Sequence, residues 1–211
     1  NGAGWVGKNY MRHVFAYAYA QFERPVNMHR GMPVGGAIRD EMRFDPARGF
    51  AGGFLVTTAA YGLPFLGAYL DPLRWGREHT SWIEAYDHMA CAVVVGEDMA
   101  METNRVWLHE SEKDQYGLPI PCLHLDDHPN DFALKNYGIK VLCQVYEAAG
   151  AQRVFEGPTL PSSHNLGTCR MSANPRDGVV NEWGRSHEVA NLYVSDGSQF
   201  ASAAAAGPTL T

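Results

Sequence analysis

The feature that most restricts how this chain can fold lies in its last fifty residues, where the apolar run Ala190-Asn191-Leu192-Tyr193-Val194 stops at Ser195-Asp196-Gly197. A run this short and apolar predicts a buried strand. An acidic residue meeting a glycine at a strand's carboxyl end marks the place where open α/β sheets hold ligands, because loops and helix starts line the crevice there. Around it, His164 precedes a Leu166-Gly167-Thr168 turn and Arg170, and Asp177-Gly178-Val179-Val180 turns into β-branched residues. The stretch ends in Gly207-Pro208-Thr209-Leu210-Thr211, with a proline where a helix would begin. Proline suits the first helical turn, since its missing N–H would lack a partner anyway.

Upstream, the chain from Asn1 to about Gly76 is rich in Gly, Pro and Met, with Arg30-Gly31-Met32-Pro33 and Pro46-Ala47-Arg48-Gly49 as turns. Long irregular connections are expected there. Cys91–Gly96 is a continuous apolar run, Arg105–His109 alternates, and Leu118–Leu125 alternates loosely after a turn at Lys113–Gly117. These three predict antiparallel strands of one sheet. Asp126-Asp127-His128-Pro129 supplies capping residues followed by proline. Phe132, Lys135/Asn136, Tyr137, Val141, Leu142, Val145, Tyr146 and Ala149 then follow a 3.6-residue stripe, predicting a helix over 129–149 that ends at Gly150. Pro158–Pro161 joins this region to the carboxyl-terminal stretch, giving two parts, 1–158 and 159–211.

At 211 residues and 45% hydrophobic the chain can bury a core, and a net charge of −6 without clustered Lys and Arg argues against nucleic acid as a partner. No apolar run approaches the roughly 20 residues that span a bilayer, and no transmembrane segment is expected. No signal peptide is read at the Asn1-Gly2-Ala3-Gly4 opening either. Cys91, Cys122, Cys143 and Cys169 form no CxxC pair, so they read as buried small side chains. Cys169, five residues from His164, also allows a Cys-His nucleophile.

The segment from His164 to Thr211 resembles the carboxyl-terminal part of the glucose-methanol-choline (GMC) oxidoreductases, flavoproteins that oxidise alcohols and sugars. His164-Asn165-Leu166-Gly167-Thr168 and Ser195-Asp196-Gly197-Ser198-Gln199-Phe200 are similar to the bacterial FAD-dependent dehydrogenase branch with its gluconate- and sorbitol-type enzymes. Val6-Gly7-Lys8-Asn9, followed by Arg12-His13, resembles the family's Val-Gly-x-Asn turn. The resemblance implies an α+β fold, with an antiparallel-sheet substrate region and strand and helix elements that return to an FAD-binding α/β domain. No GxGxxG stands in its proper setting. Gly2-Ala3-Gly4-Trp5-Val6-Gly7 has no room for a preceding strand, and Glu23 is followed closely by Pro25, against a central strand end. An amino-terminal FAD-binding half is therefore expected as a partner to this region. The alternative is a remnant that cannot bind flavin alone.

The resemblance implies FAD as cofactor and His164 as the base, because hydride leaves a carbinol carbon easily only if the neighbouring hydroxyl gives up its proton. A neutral imidazole suits that task. The hydride would pass to flavin N5. Asp196 and Gly197 would meet the cofactor, and the turn at Pro208, Thr209 and Leu210 would offer free N–H groups to its electron-rich end. Gly207 departs from the pattern, standing where relatives carry a second histidine or an asparagine. Expected partners are an alcohol or sugar substrate and an electron-accepting cytochrome or quinone. Two other readings stand beside this one. The first is a non-catalytic binding or structural remnant, motivated by Gly207 and favoured if side chains fill the space near His164. The second is a metal-dependent hydrolase using His124 and Asp131 among His124, Asp126, Asp127, His128 and Asp131. A capped helix start explains those residues without any metal. Arg12, His13, Glu97 and Asp98 read as solvated or structural.

Overall fold

The structure, a computed structural model, describes residues 2–60, 75–157 and 162–210. In chain order its elements are β1 (Val14–Gln21), β2 (Ala37–Ile38), β3 (Phe54–Ala59), α1 (Gly76–Glu84), β4 (Met89–Gly96), β5 (Arg105–Lys113), β6 (Pro119–His124), α2 (Pro129–Ala148) and β7 (Arg153–Glu156). Every pair of these strands is antiparallel, so the fold is α+β. Two compact units share the chain: residues 14–96 with 133–161, and residues 1–13, 97–132 and 162–211. The chain passes repeatedly between them, so the functional division expected at residue 158 does not coincide with the units. The joining segment Pro158–Pro161 lies outside the described residues, as do positions 61–74 of the Gly/Pro-rich stretch.

The first of these units is a five-stranded sheet in the order β2-β3-β4-β1-β7. Its interior strand β1, Val-Phe-Ala-Tyr-Ala-Tyr-Ala-Gln, alternates in size rather than polarity. Ala16, Ala18 and Ala20 face Phe50, Phe54, Val94 and the helix residues Leu134, Leu142 and Tyr146. Tyr17 and Tyr19 face the other way, onto Met28, Trp82, Met89, Val93 and Val95. Both faces are buried, so the polar alternation that identifies a half-exposed strand never arises. This is why a region expected to be irregular holds β1 and β3. The turn at 46–49 forms as expected, with Asp45 accepting from the Ala47 amide and Gly49 at φ 80 closing it.

Helix α2 matches the predicted span. His128 Nδ1 accepts from the Asn130 amide, and Asp131 Oδ2 accepts from the His128 amide, which is the reciprocal arrangement of a capping box. At the other end Gly150, at φ 85, donates to the Glu147 carbonyl and Ala151 donates to Tyr146, a Schellman stop. The buried line runs Leu134, Gly138, Leu142, Tyr146, four residues apart, whereas Phe132 is half-exposed. Gly138 carries no hydrophobic signal, yet it lets the helix lie close on the sheet: a Cβ there would come within 2.7 Å of Val94 Cγ1.

The three predicted strands do not share one sheet. β4 lies in the five-stranded sheet, and β5 and β6 pair alone, around the Asp114–Gly117 turn. Strand β4 is apolar throughout and requires cover on both faces, which β1, β3 and their packing partners give it. The β5–β6 hairpin is largely exposed and needs no second layer. Nor is Ala190–Val194 a buried strand. Among the described residues it makes a single isolated bridge, Arg185 to Tyr193, and Leu192 and Tyr193 are 50% and 59% exposed. A strand exists only through its neighbours, and one bridge does not make a ladder. The expected helix at Pro208 is represented by one 3-10 turn, Pro208–Leu210. Cys91 is buried as expected, but Cys122, Cys143 and Cys169 are only partly covered, and all four are free thiols.

Gly138→Ala tests the helix–sheet contact. The gain in helix propensity is about 1 kcal/mol, while overpacking a β-branched neighbour held in a buried strand costs roughly 1–3 kcal/mol. Net destabilisation is expected in denaturant titration, and a larger loss for Gly138→Val.

Candidate active site

The site grows from a pairing of two distant segments in the second unit. Met11 and Leu166 exchange both backbone hydrogen bonds, at 3.0 and 2.9 Å, and the Gly7 amide donates to the Thr168 carbonyl at 2.8 Å. Gly167 sits between these anchors at φ 94, and any Cβ there would overlap the Asn9 carbonyl oxygen. Glycine is therefore required twice over, by its backbone conformation and by the space it leaves. Just before the bridge, Ser162 Oγ accepts from the His164 amide at 3.1 Å and turns the chain.

The pairing brings His13 against His164. Their Nδ1 atoms are 2.7 Å apart, and the rings meet edge to face at 88° with centroids 4.9 Å apart. His13 Nε2 lies 2.5 Å from the Ala204 carbonyl oxygen. His13 is 1% exposed, so the solvated reading of this residue is wrong; it is a buried neighbour of the candidate base. The sequence carries no local sign of it, since the two histidines stand 151 positions apart. Burial lowers the His13 pKa to about 4, partly opposed by the bond to Ala204 and aided by His164, and burial also lowers that of His164.

Arg12 and Asp98 are likewise not simple surface groups. Asp98 is buried, and its Oδ2 accepts from the Arg12 amide at 2.6 Å, fixing the chain beside His13. Burial raises its pKa to about 8, against the Arg12 amide bond and with further upward pushes from its hydrogen bond to Asp131 and from that group's charge. Asp131 already accepts from the amides of Met99 and His128. Desolvated and hydrogen-bonded to that group, Asp98 keeps its proton.

On the other side of the His164 turn, Asp196 Oδ1 accepts from the Ser198 amide and caps the 3-10 turn Gly197–Gln199; hydrogen bonds from the Ser198 hydroxyl and amide lower its pKa and keep its side chain anionic. The carbonyls of Gly197, Ser198 and Gln199 accept from the amides of Gly167, Cys169 and Met171. A Cβ on Gly197 would come within 2.5 Å of the Asn165 carbonyl oxygen, so this glycine serves close packing inside the unit. The result is a cleft of about 470 Å³ bordered by His164, Asn165, Ser195, Asp196, Gly197, Pro208 and Thr209. A second cleft of about 460 Å³ shares Asn165, Asp196 and Gly197 with it, and Tyr10, whose hydroxyl donates to Asn165 Oδ1 at 2.6 Å, stands at its edge. Gly207 adjoins the base: a Cβ there would lie 3.8 Å from His164 Cε1. Of the expected site residues, only the Leu210 side chain lies outside the described parts.

The other chemistries lack this convergence. Burial raises the pKa of Cys169 and keeps it a thiol. His124 pairs with Asp126, Asp127 with Arg12, and His128 and Asp131 cap α2. Among the described residues no group of three or more His, Cys, Asp or Glu is placed to hold a metal, and no helix is long and apolar enough to cross a membrane.

The family model described as GMC oxidoreductase matches residues 101–211, more than half of the chain. The chain belongs to the GMC oxidoreductase family. It is 34% identical to the 2-methyl-1,2-propanediol dehydrogenase of Mycolicibacterium austroafricanum, over 100% of this chain and 40% of that protein. It is 22% identical to the gluconate 2-dehydrogenase flavoprotein of Pantoea cypripedii, over 98% of this chain and 37% of the relative. The fructose dehydrogenase large subunit of Gluconobacter japonicus matches at 31% over 51% of this chain and 20% of its own length. The crystal structure of pyridoxine 4-oxidase from Mesorbium loti superposes with a TM-score of 0.61 at 16% identity, covering 97% of this chain and 40% of that one, and shows a shared fold. The chain thus spans about two-fifths of the length of the relatives that it matches throughout.

The Asp98 carboxyl gives a pH test. Below its ordinary pKa of 3.8 the group is protonated whether the chain is folded or not. As pH climbs from there toward about 8, the unfolded chain ionises while the folded one holds its proton, so stability falls across that window. Thermal unfolding should show this decline, and Asp98→Asn should flatten it.

Proposed function

We propose that this chain is the substrate-side and flavin-facing part of an FAD-dependent oxidoreductase acting on the CH–OH group of an alcohol or sugar, with His164 as proton acceptor. The observation that carries this reading is one cleft bordered by His164, Asp196, Gly197, Pro208 and Thr209, residues drawn from three separate stretches of the sequence. That cleft is open rather than filled by side chains, which favours catalysis over the non-catalytic remnant.

Two observations fit a flavin. Gly207 leaves space without a side chain beside His164, and Asn9, beside Gly167, has a buried amide nitrogen for which the described residues supply no acceptor. Asp196, Gly197 and the turn at Pro208, Thr209 and Leu210 would hold the cofactor, within a carboxyl-terminal segment that we take as 159–211. When bound, FAD supplies the two-electron acceptor for the hydride leaving the carbinol carbon, at N5. His164 takes the hydroxyl proton as the O–H bond breaks, leaving a carbonyl product. Its lowered pKa keeps the imidazole neutral and ready at working pH. We assign the dinucleotide fingerprint to an amino-terminal half, in keeping with the two-fifths span. A quinone or cytochrome would take the electrons onward, a reading supported by one relative's name as a large subunit.

Three alcohols that the relatives' names point to, 2-methyl-1,2-propanediol, fructose and gluconate, form the panel for testing. In the flavin-loaded full-length protein, anaerobic flavin reduction by the best of them should fall by several orders of magnitude in His164→Ala; unchanged reduction would remove His164 as the base. The reduction rate should rise with pH to a plateau, with its midpoint below 6.5, the ordinary value for histidine. Gly207→Asn adds a hydrogen-bonding side chain at a position with room for its Cβ. It should fold normally and raise the reduction rate constant by about 100-fold, the lower end of what one such donor contributes.

A further inference from the structure

We infer that His13 is a positioning residue that fixes which nitrogen of His164 accepts the substrate proton. The inference rests on the reading of His164 as the base and goes beyond it. The direction of each hydrogen bond follows from what its partners can do. The Ala204 carbonyl can only accept, so His13 Nε2 carries a proton and donates to it. A buried imidazole with one ring proton then presents a lone pair at Nδ1. Across 2.7 Å stands the Nδ1 of His164, which must donate. A neutral His164 protonated at Nδ1 has its lone pair at Nε2. The chain Ala204 carbonyl, His13, His164 therefore sets the base in a single tautomer, reading from a backbone oxygen outward.

The low pKa of His13 agrees, because a doubly protonated His13 would offer His164 a proton where a lone pair is needed. The groups facing His13 are the Ala204 carbonyl and the His164 ring. The nearest charge on its own segment is on Arg12, which turns to Asp127 at 2.9 Å, and the Asp98 carboxyl beside it keeps its proton. The same arrangement serves the reaction itself. When His164 takes the substrate proton at Nε2, its Nδ1–H becomes part of an imidazolium, and the bond to His13 strengthens as a charge-assisted one. A lone pair held in advance at that place stabilises the protonated base without any rearrangement.

Two variants separate this role from packing. His13→Leu fills the space but offers no acceptor, and His13→Asn places an amide oxygen near the position of Nδ1. In the flavin-loaded full-length protein, with whichever panel alcohol reduces the flavin fastest, His13→Leu should lower the limiting reduction rate about 10- to 100-fold while apparent substrate affinity changes little. His13→Asn should restore most of that rate. A neutron structure of the unsubstituted protein should place a deuteron on His164 Nδ1 and on His13 Nε2, with His164 Nε2 bare; this reading needs neither turnover nor a variant that folds. A deuteron on His164 Nε2, or His13→Leu reducing its flavin within threefold of the native rate, would overturn the inference. If His164→Ala also reduced flavin normally, the fault would lie with the assignment of the base. A slow His164→Ala beside a fast His13→Leu would sink the positioning role alone.

Discussion

The exchange of two backbone hydrogen bonds between Met11 and Leu166 is what the candidate site depends on. Neither residue has chemistry to offer. Their pairing lays the segment ending at His13 against the turn that begins at His164, and Met11 and Leu166 are both fully buried, packed with Ala203 from the Ala204 segment. One small apolar cluster thus fixes three pieces of chain that each contribute a member to the line Ala204 carbonyl, His13, His164. Gly167 makes the approach possible by having nothing to place against Asn9. The hydrogen bonds would be worth little in water; buried beside apolar side chains, they hold the two segments in register.

The electrostatics around this pairing follow one pattern. Desolvation acts on His13, His164 and Asp98 and pushes all three toward neutrality. Asp196 escapes, because the Ser198 amide and hydroxyl satisfy it and it is largely exposed. The cleft therefore has neutral His164, backed by the buried His13, on one border and a fixed anion on another. The charge is held by the hydroxyl and amide of Ser198, a residue of its own turn, so it stays where the turn puts it.

What could be read from the sequence divides along physical lines. Helix α2 was legible because its caps and its stripe are local, and the β5–β6 hairpin because it is half-exposed and signals its turn through Asp114 and Gly117. Strand β1 was hidden, since its alternation is one of size on a doubly buried surface, and Gly138 was hidden because a missing side chain leaves no hydrophobic mark. The residues bordering the cleft were legible through motif wording. His13 was not: its partner is 151 positions away, and only the fold puts them together. Ala190–Val194 misled in the opposite sense, since an apolar run becomes a strand only where neighbours exist to pair with it.

The strand order β2-β3-β4-β1-β7 has one more implication, for the emergence of the chain from the ribosome. The run Met89–Gly96 is the most apolar strand and, left bare, the segment most apt to stick to other copies. Both of its lateral neighbours, β1 and β3, precede it in the chain. By the time it leaves the exit tunnel, the strands that flank it have already been made, and hydrogen-bonded edges can close on it at once. The face of Cys91, Val93 and Val95 packs on Met28 and Trp82, already made, and only the face of Ala92 and Val94 waits on helix α2, about forty residues later in translation, so the vulnerable interval during synthesis is short.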